Sequence, residues 1–151
     1  MIILQDTKEK QPWNFSFYNV EVEKKSLKTG DYSLKNFSNK VCIERKKTTG
    51  EIAINFGSKK KQFTNELLRM CLFPHKLIIF EFPEEYLDFF PNKSSIPQKT
   101  LKYIKISSYY LKKCIYSIKD TYGIDIIFCN NKEQAEQEAF LFLKESYDKL
   151  K

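Results

Sequence analysis

The sequence has very little glycine: four residues in a chain of 151, namely Gly30, Gly50, Gly57 and Gly123. No segment matches the glycine-rich loops of ATPases and dinucleotide enzymes, which cradle phosphate with backbone N–H groups. Internal repeats and low-complexity linkers are also absent. The sequence therefore excludes a helicase or ATPase motor.

Histidine occurs once, at His75, between a proline and an apolar run where a structural role is expected. Without a second histidine or a cysteine nucleophile nearby, serine and cysteine hydrolase chemistry has little support. The four cysteines match no zinc-binding spacing. We expect most of them to be buried free thiols, as in a reducing compartment.

Long apolar runs are missing. No segment approaches the roughly 18 consecutive apolar residues of a transmembrane helix. No secretory leader is recognisable either, so an intracellular protein of the cytoplasm or nucleus, without membrane contact, is expected. The length predicts one domain over residues 1–151, with enough apolar content to bury a core.

Positive charge is abundant. Lysine and arginine number 26 against 19 acidic residues, which gives a net charge of +7. Such a surface suits a polyanion, and nucleic acid comes first among polyanions. Charge alone fits a solvated lysine-rich surface equally well. The basic residues of the first half, however, gather around a set of carboxylates described next.

Two apolar-alternating runs, at residues 27–34 and 41–46, predict a pair of short strands joined by a turn. Asp31 lies in the first run, and Glu44 and Lys46 lie in the second. Side chains alternate along a strand, so Glu44 and Lys46 point to one face and Arg45 to the other. A hairpin would bring Asp31 beside Glu44.

This set of side chains predicts metal-dependent phosphodiester hydrolysis. Carboxylate oxygens are the ligands that Mg²⁺ and Mn²⁺ prefer. A bound ion polarises the phosphate and lowers the pKa of a coordinated water, and a nearby lysine stabilises developing charge. An ordinary solvated hairpin face is the competing interpretation of the bare motif.

The rest of the chain alternates strands and helices. Strands are predicted at residues 1–6, 75–81 and 124–129, and helices at 58–73 and 99–122, the latter ending at Gly123. A short helix or turn is expected at 84–90, and an exposed, mobile loop at 91–97. Asn130 and Asn131 are expected to cap a final helix. The pattern predicts an α/β layer fold.

The order of these features resembles the nuclease domain of the XPF-type structure-specific endonucleases, in the PD-(D/E)xK superfamily. The resemblance covers nearly the whole chain. It rests on Asp6-Thr7-Lys8-Glu9, on Leu27 to Tyr32 with its Gly30-Asp31 pair, on Val41 to Lys46 with Glu44-Arg45-Lys46, and on Gln62 and Glu66 followed by the run 75–81.

The resemblance implies a single-domain restriction-endonuclease-like fold, with a central mixed sheet flanked by helices. It implies an Mg²⁺- or Mn²⁺-dependent endonuclease acting on branched, flap or fork DNA. The implied catalytic residues are Asp31, Glu44, Lys46 and Arg45. The metal-site residues expected with them are Asp31, Glu44, Asp6, Glu9 and Glu51.

Two departures from the family pattern stand out. The family has an aspartate shortly after Glu-Arg-Lys, whereas here the nearest acid is Glu51, one position later. Lys8 replaces an arginine of the first motif, which keeps the charge but loses the planar fork. The helix-hairpin-helix module that many members carry is not expected here.

The partners follow from the same features. DNA is expected to contact the basic rim, namely Lys8, Lys47, Lys59, Lys60, Lys61 and Gln62. In the resembled family the late helices commonly form a dimer interface. Phe140, Leu143 and Tyr147 would then bury against a second copy or a different subunit, or else cover their own sheet.

Three functional hypotheses remain open from the sequence. The first is a nuclease that is selective for branched DNA. The second is a noncatalytic DNA-binding or scaffold subunit of a nuclease complex, since the resembled family includes such partners. The third is a resolvase-type or restriction-type nuclease acting on other DNA substrates.

Overall fold

The computed structural model describes residues 1–151 and is organised around a six-stranded mixed sheet, which confirms the predicted fold class. The strand order is β2-β1-β3-β4-β5-β6. β3 runs antiparallel to both β1 and β4, and the remaining neighbours are parallel. The strands are β1 (Ile2–Asp6), β2 (Glu21–Lys25), β3 (Tyr32–Leu34), β4 (Val41–Lys46), β5 (His75–Phe80) and β6 (Asp125–Phe128).

Helices cover both faces of the sheet. One face carries α1, α2, α3 and α4, and the other is covered by α5 with the segment that follows β1. The helices are α1 (Thr49–Phe56), α2 (Lys60–Met70), α3 (Tyr86–Phe89), α4 (Ser108–Tyr122) and α5 (Lys132–Leu150), with a 3₁₀ helix at Gln98–Tyr103.

The central strand β4 contributes to both cores because its side chains alternate. Cys42 packs into the cluster under α1, α2 and α4, whereas Val41 and Ile43 pack into the cluster with Trp13 and α5. The same alternation continues into the charged end of the strand. Glu44 and Lys46 therefore fall on the α2 side, and Arg45 falls on the Trp13 side, as predicted.

The strand predicted at residues 27–34 is wrong in its first half. Only Tyr32–Leu34 forms a strand, because Gly30 adopts a left-handed φ of +81° that breaks the extended chain. A Cβ at this position would lie 3.0 Å from the Ile43 carbonyl oxygen. The turn from β3 into β4 forms the hairpin that was expected.

The helix predicted over 99–122 begins later, at Ser108. The Ser107 hydroxyl accepts a hydrogen bond from the Tyr110 N–H at 3.1 Å, which caps the helix there. Gly123 ends the helix in a left-handed conformation, as expected. Ile104 and Ile106 precede the helix and pack beside the first core cluster from an extended segment.

Two elements have no counterpart in the sequence prediction. β2 (Glu21–Lys25) is an edge strand of mostly charged residues, and apolar periodicity does not detect such a strand. α1 (Thr49–Phe56) is short and begins at Thr48, whose hydroxyl accepts from the Glu51 N–H at 3.1 Å. The Thr48 cap with Glu51 three residues later is a helix start signal.

The loop at 91–97 is anchored at its centre, although an exposed, mobile segment was predicted. Ser94 is buried, and its carbonyl oxygen accepts a hydrogen bond from the Gly50 N–H at 3.1 Å. A Cβ on Gly50 would lie only 2.4 Å from that oxygen. The loop therefore packs directly on the first turn of α1.

The late side chains considered for a dimer interface cover their own sheet. Phe140 stacks on Tyr18 with 4.2 Å between the ring centres, and Tyr147 meets Phe37 edge to face. Leu143 is completely buried. These contacts favour the second of the two interpretations drawn from the sequence.

All four cysteines are free: Cys42 and Cys129 are buried, and Cys71 and Cys114 are partly buried. Only two of the four are buried, whereas most of them were expected to be. None of the helices combines the length and apolar composition needed to cross a bilayer.

Gly30→Ala is expected to lower the free energy of unfolding by about 2 to 3 kcal/mol, because alanine must adopt a left-handed φ and its Cβ crowds Ile43. Gly123→Ala is the matched control, since Gly123 has a φ of +66° but no neighbouring atom within 4 Å. It should cost about 1 kcal/mol. Urea denaturation measures both, and equal losses would show that the chain around Gly30 yields to the methyl group.

Candidate active site

Asp31 is held by backbone hydrogen bonds at the point where three strands meet. Its N–H donates to the Ile43 carbonyl oxygen at 2.7 Å, and its own carbonyl oxygen accepts from the Asp6 N–H at 2.8 Å. The carboxylate Oδ2 accepts from the Arg45 N–H at 2.8 Å. The side chain therefore has a fixed position beside the end of β4.

Glu44 and Lys46 share the face of β4 that lies under α2. The Lys46 Nζ lies 3.3 Å from Glu44 Oε1 and 4.0 Å from Glu51 Oε1. It also lies 4.9 Å from the centre of the Phe63 ring. Glu44 and Lys46 are almost entirely buried. The structure thus brings Asp31, Glu44 and Lys46 together, as the strand pattern predicted.

A third carboxylate, Glu66, reaches this group from α2. It lies close enough to both Glu44 and Lys46 to raise the pKa of each. Glu66 contributed, with Gln62, to the family resemblance but was not among the predicted site residues. Its position between Phe63 and Leu67 at the edge of the apolar face was the available signal, and only the packing of α2 on β4 shows its target.

Burial and crowding shift the acidity of these groups. Burial raises the pKa of Asp31 from 3.8 to about 6, and the Glu9 charge adds to this effect, while the hydrogen bond from the Arg45 N–H opposes it. Burial and the nearby Asp31 raise the pKa of Glu44 well above its usual range. The site therefore holds more carboxylate than its single lysine can neutralise.

Lys46 remains charged in this setting. Burial alone would lower the pKa of its ammonium group, but the carboxylates of Glu44, Glu66 and Glu51 outweigh burial and raise it. Lys46 can therefore donate hydrogen bonds and stabilise negative charge. A role as a neutral base is disfavoured.

Arg45 occupies the opposite face of the strand, away from this carboxylate group. Its guanidinium donates to both oxygens of Glu81 at 2.7 and 3.0 Å and to the Gln11 carbonyl oxygen at 2.9 Å. It stacks over Trp13 at 4.5 Å from the ring centre. The arginine is buried and fully occupied, so it supports the strand from behind.

The two acids of the first motif are engaged in other contacts. Asp6 Oδ1 accepts a hydrogen bond from the Leu27 N–H at 2.9 Å. The Glu9 carboxylate lies 3.5 Å from the Arg45 guanidinium and 3.4 Å from the Lys47 ammonium. Both acids thus hold the chain around the site, and the described contacts do not bring them to Glu44.

The missing aspartate of the family pattern has a structural explanation. The Ser94 carbonyl oxygen and the Ile96 side chain occupy the space that a side chain at Gly50 would need. Glu51, one position later, extends toward Lys46 and remains partly exposed. The nearest acid is therefore displaced along α1 but stays at the site.

An open cleft of about 590 Å³ lies in front of these side chains. Glu51 and Glu66 line it together with the polar residues Asn55, Lys59, Gln62 and Arg69. Lys60 and Lys61 are exposed at the start of α2, and Lys8 is exposed beyond β1. Lys47 is tied to Glu9 and to the Lys10 carbonyl oxygen. Of the residues predicted to contact DNA, Lys59 and Gln62 thus line the cleft, and Lys8, Lys60 and Lys61 are exposed outside its lining.

The donor set fits a hard divalent cation. It consists of oxygen ligands only, and the lone buried lysine leaves negative charge uncompensated. No group of three or more His, Cys, Asp and Glu side chains forms a ready-made metal cluster. Mg²⁺ commonly takes one or two carboxylates plus water and substrate phosphate, so a preformed cage is not required.

Comparison with family models identifies residues 5–138 as an ERCC4 domain. The chain belongs to the ERCC4 domain family. The match includes Asp31, Glu44, Lys46 and Glu66, and it supports a nuclease acting on DNA. No curated protein sequence matches this ERCC4 domain.

Two solved structures share the fold of this ERCC4 domain. They are XPF from Aeropyrum pernix and the same protein in complex with DNA, each with a TM-score of 0.70. The sequence identities are 16% and 17%, and 97% of this chain is covered in both. The chain spans 65% of the length of those proteins.

Arg45→Met is expected to lower the free energy of unfolding by about 3 to 5 kcal/mol, because it leaves Glu81 buried without its cation and Glu9 with Lys47 alone. Lys35→Met, which breaks the exposed pair with Glu23, should cost less than about 1 kcal/mol. Urea denaturation followed by the fluorescence of Trp13 measures both. A small loss for Arg45→Met would contradict a structural role.

The metal-free protein should lose stability as pH rises from 4 through 6. Folded Asp31 binds its proton more tightly than the unfolded chain does, so its contribution falls by about 3 kcal/mol over this range. Asp31→Asn removes the contribution and should exceed wild type in stability at pH 7.5 but not at pH 4. Thermal unfolding with EDTA at the two pH values provides the measurement. If the stability difference between Asp31→Asn and wild type were the same at pH 4 and pH 7.5, the raised pKa of Asp31 would be contradicted.

Proposed function

We propose that this protein is a metal-dependent endonuclease that hydrolyses DNA phosphodiester bonds, with a preference for branched, flap or fork structures. The observation that carries the proposal is the convergence of Asp31, Glu44 and Lys46. Glu51 and Glu66, which raise the pKa of Lys46, line the adjoining cleft. Membership of the ERCC4 domain family supports the same chemistry.

Asp31 and Glu44 would hold Mg²⁺ or Mn²⁺, with Glu66 and Glu51 as further acids. The ion would supply positive charge at the scissile phosphate and lower the pKa of a bound water. Lys46 would stabilise the negative charge that develops on the phosphate oxygens. Glu44, 3.3 Å away, keeps the ammonium in position.

Glu66 and Glu51 compensate for the acid that position 50 cannot carry. Glu66 lies close enough to Glu44 to raise its pKa, and both Glu66 and Glu51 line the cleft. In this proposal, Glu66 of α2 and Glu51 of α1 take the place of the aspartate that the family pattern has at position 50.

The remaining residues of the family motif act by positioning. Arg45 and Glu81 fix the back of β4, and Glu9 joins this pair to Lys47. Asp6 holds the chain at Leu27, just before the Gly30 turn. In this proposal these side chains set the position of Asp31 and Glu44 without touching the substrate.

The DNA surface comprises the basic residues around the cleft. Their ammonium groups would bind backbone phosphates and release counterions. Lys59 and Gln62 line the cleft itself. The complete set is Lys8, Lys47, Lys59, Lys60, Lys61 and Gln62.

Residues 1–151 form one nuclease domain in this proposal. Pairing with a second copy or another subunit would use surfaces of α5 other than Phe140, Leu143 and Tyr147, which already pack within the chain. The four free thiols fit a reducing intracellular compartment.

The direct test is cleavage of labelled flap, fork, Holliday-junction and linear duplex DNA with Mg²⁺ or Mn²⁺. Asp31→Asn, Glu44→Gln and Lys46→Met should each lower the rate at least about 100-fold. Asp148→Asn on α5 is the matched control and should cut like wild type. EDTA should abolish all cleavage.

Each alternative gives a different result in the same assay. DNA binding without cleavage by the wild-type protein would identify a scaffold subunit. Cleavage of linear duplex at the same rate as branched DNA would identify a restriction-type nuclease, and selective cleavage of Holliday junctions would identify a resolvase.

Glu66→Gln tests the proposed third acid independently of activity. The variant should bind Mn²⁺ about 10-fold more weakly in calorimetric titration without DNA, because one carboxylate beside Glu44 is lost. Glu145→Gln, on the exposed surface of α5, is the control and should bind as wild type does. Unchanged Mn²⁺ affinity in Glu66→Gln would remove Glu66 from the site.

A further inference from the structure

A groove leaves the carboxylate cleft and follows α1 toward the segment that precedes α4. Glu51 lines both the cleft and the groove. The groove has two parts, one next to Glu51 and one farther along α1. Ile54, one helical turn after Glu51, lines the cleft and both parts, and Tyr103 and Ile104 form the opposite wall of the groove. The two parts have volumes of about 550 and 340 Å³.

The groove is a fixed feature because two glycines let its walls approach α1 closely. Ser94 of the 91–97 loop packs on Gly50 at one end. At the other end, a Cβ on Gly57 would lie 3.1 Å from Ile106 Cδ1. The loop and the segment before α4 are therefore seated against the helix, and the groove lies along their edges.

The lining combines exposed apolar and aromatic surface with cations. Ile54 is 46% exposed and Tyr103 is 69% exposed. The Lys102 ammonium lies 5.2 Å from the centre of the Tyr103 ring, and Lys105 lines the wall. Glu51, at the end next to the cleft, is the single acid among the lining residues.

This chemistry matches an unpaired nucleotide. The face of a nucleobase stacks on an aromatic ring and covers apolar surface, while its phosphate requires a nearby cation. A base-paired duplex presents sugar and phosphate outward, so it would leave Ile54 and Tyr103 exposed. The positive charges of Lys102 and Lys105 favour an anionic ligand over an uncharged apolar one.

We propose that the groove binds an unpaired nucleotide of the DNA strand whose phosphate lies in the carboxylate cleft, with its base on Tyr103 and Ile54. This inference rests on the proposed function and assigns the residues that would select its branched substrates. Removing a base from a duplex stack costs a few kcal/mol, and a base that is already single-stranded avoids most of that cost. The groove thereby selects DNA with a single-stranded region beside the cutting site.

The test compares the affinities of forked DNA and blunt duplex by fluorescence anisotropy in EDTA, where no cleavage occurs. Tyr103→Ala should bind forked DNA about 10-fold more weakly and blunt duplex as wild type does. Tyr103→Phe keeps the ring and should bind like wild type. Tyr109→Ala removes a tyrosine that is 77% exposed but lies outside the groove, and it should have no effect.

A second measurement reports stacking directly. A 2-aminopurine base in the single-stranded arm, beside the junction, should lose fluorescence when wild type or Tyr103→Phe binds, and should keep it with Tyr103→Ala. Tyr103 is exposed, so its replacement should leave the melting temperature unchanged.

The proposal is overturned if Tyr103→Ala binds forked DNA like wild type, or weakens both DNAs equally. It is also overturned if the groove binds an apolar peptide and the single-stranded arm does not compete with that peptide. Failure of the nuclease proposal looks different. In that case wild type does not cut any substrate, while the Tyr103-dependent preference for forked DNA persists in EDTA.

Discussion

Three consecutive charged side chains, Glu44, Arg45 and Lys46, lie buried in the central strand of the sheet, and both faces of the fold are arranged around them. A buried charge costs several kcal/mol unless it is paired. Because side chains alternate, each face must supply its own partners. Glu81 and Trp13 cover the face of Arg45, whereas on the opposite face Glu51 and Glu66 lie between Lys46 and an open cleft. One face of β4 thus carries the ion-pair network of Arg45, and the other carries the pair of Glu44 and Lys46.

The open face keeps an excess of carboxylates around one lysine, and this excess opposes stability. Burial raises the pKa of Asp31 and of Glu44, and a nearby carboxylate adds to the rise in each case: Glu9 at Asp31 and Asp31 at Glu44. Such an arrangement is typical of a site that completes its charge balance with a cation and a phosphate. The backbone bonds that lock Asp31 to Ile43 and Asp6 hold the acids together despite their repulsion.

Position 50 shows how tertiary packing alters a family motif without removing its chemistry. The Ser94 loop occupies the space of the usual aspartate, and Glu51 and Glu66 provide carboxylates from adjacent positions. The same close packing builds one end of the groove that leads to Tyr103. The displaced acid and the proposed nucleotide groove are therefore consequences of one contact between a loop and α1.

Strong apolar periodicity was enough to predict β1, β4, β5, β6, α2 and α5 from the sequence. Strand alternation and a short hairpin were enough to predict that Asp31, Glu44 and Lys46 lie together, because both are local properties. The sequence did not reveal β2, whose charged residues pair only at an edge, or the start of α4 at the Ser107 cap. Glu66, the Arg45–Glu81 pair and the Tyr103 groove were decided by tertiary structure alone, since each depends on which distant segments the sheet brings against β4 and α1.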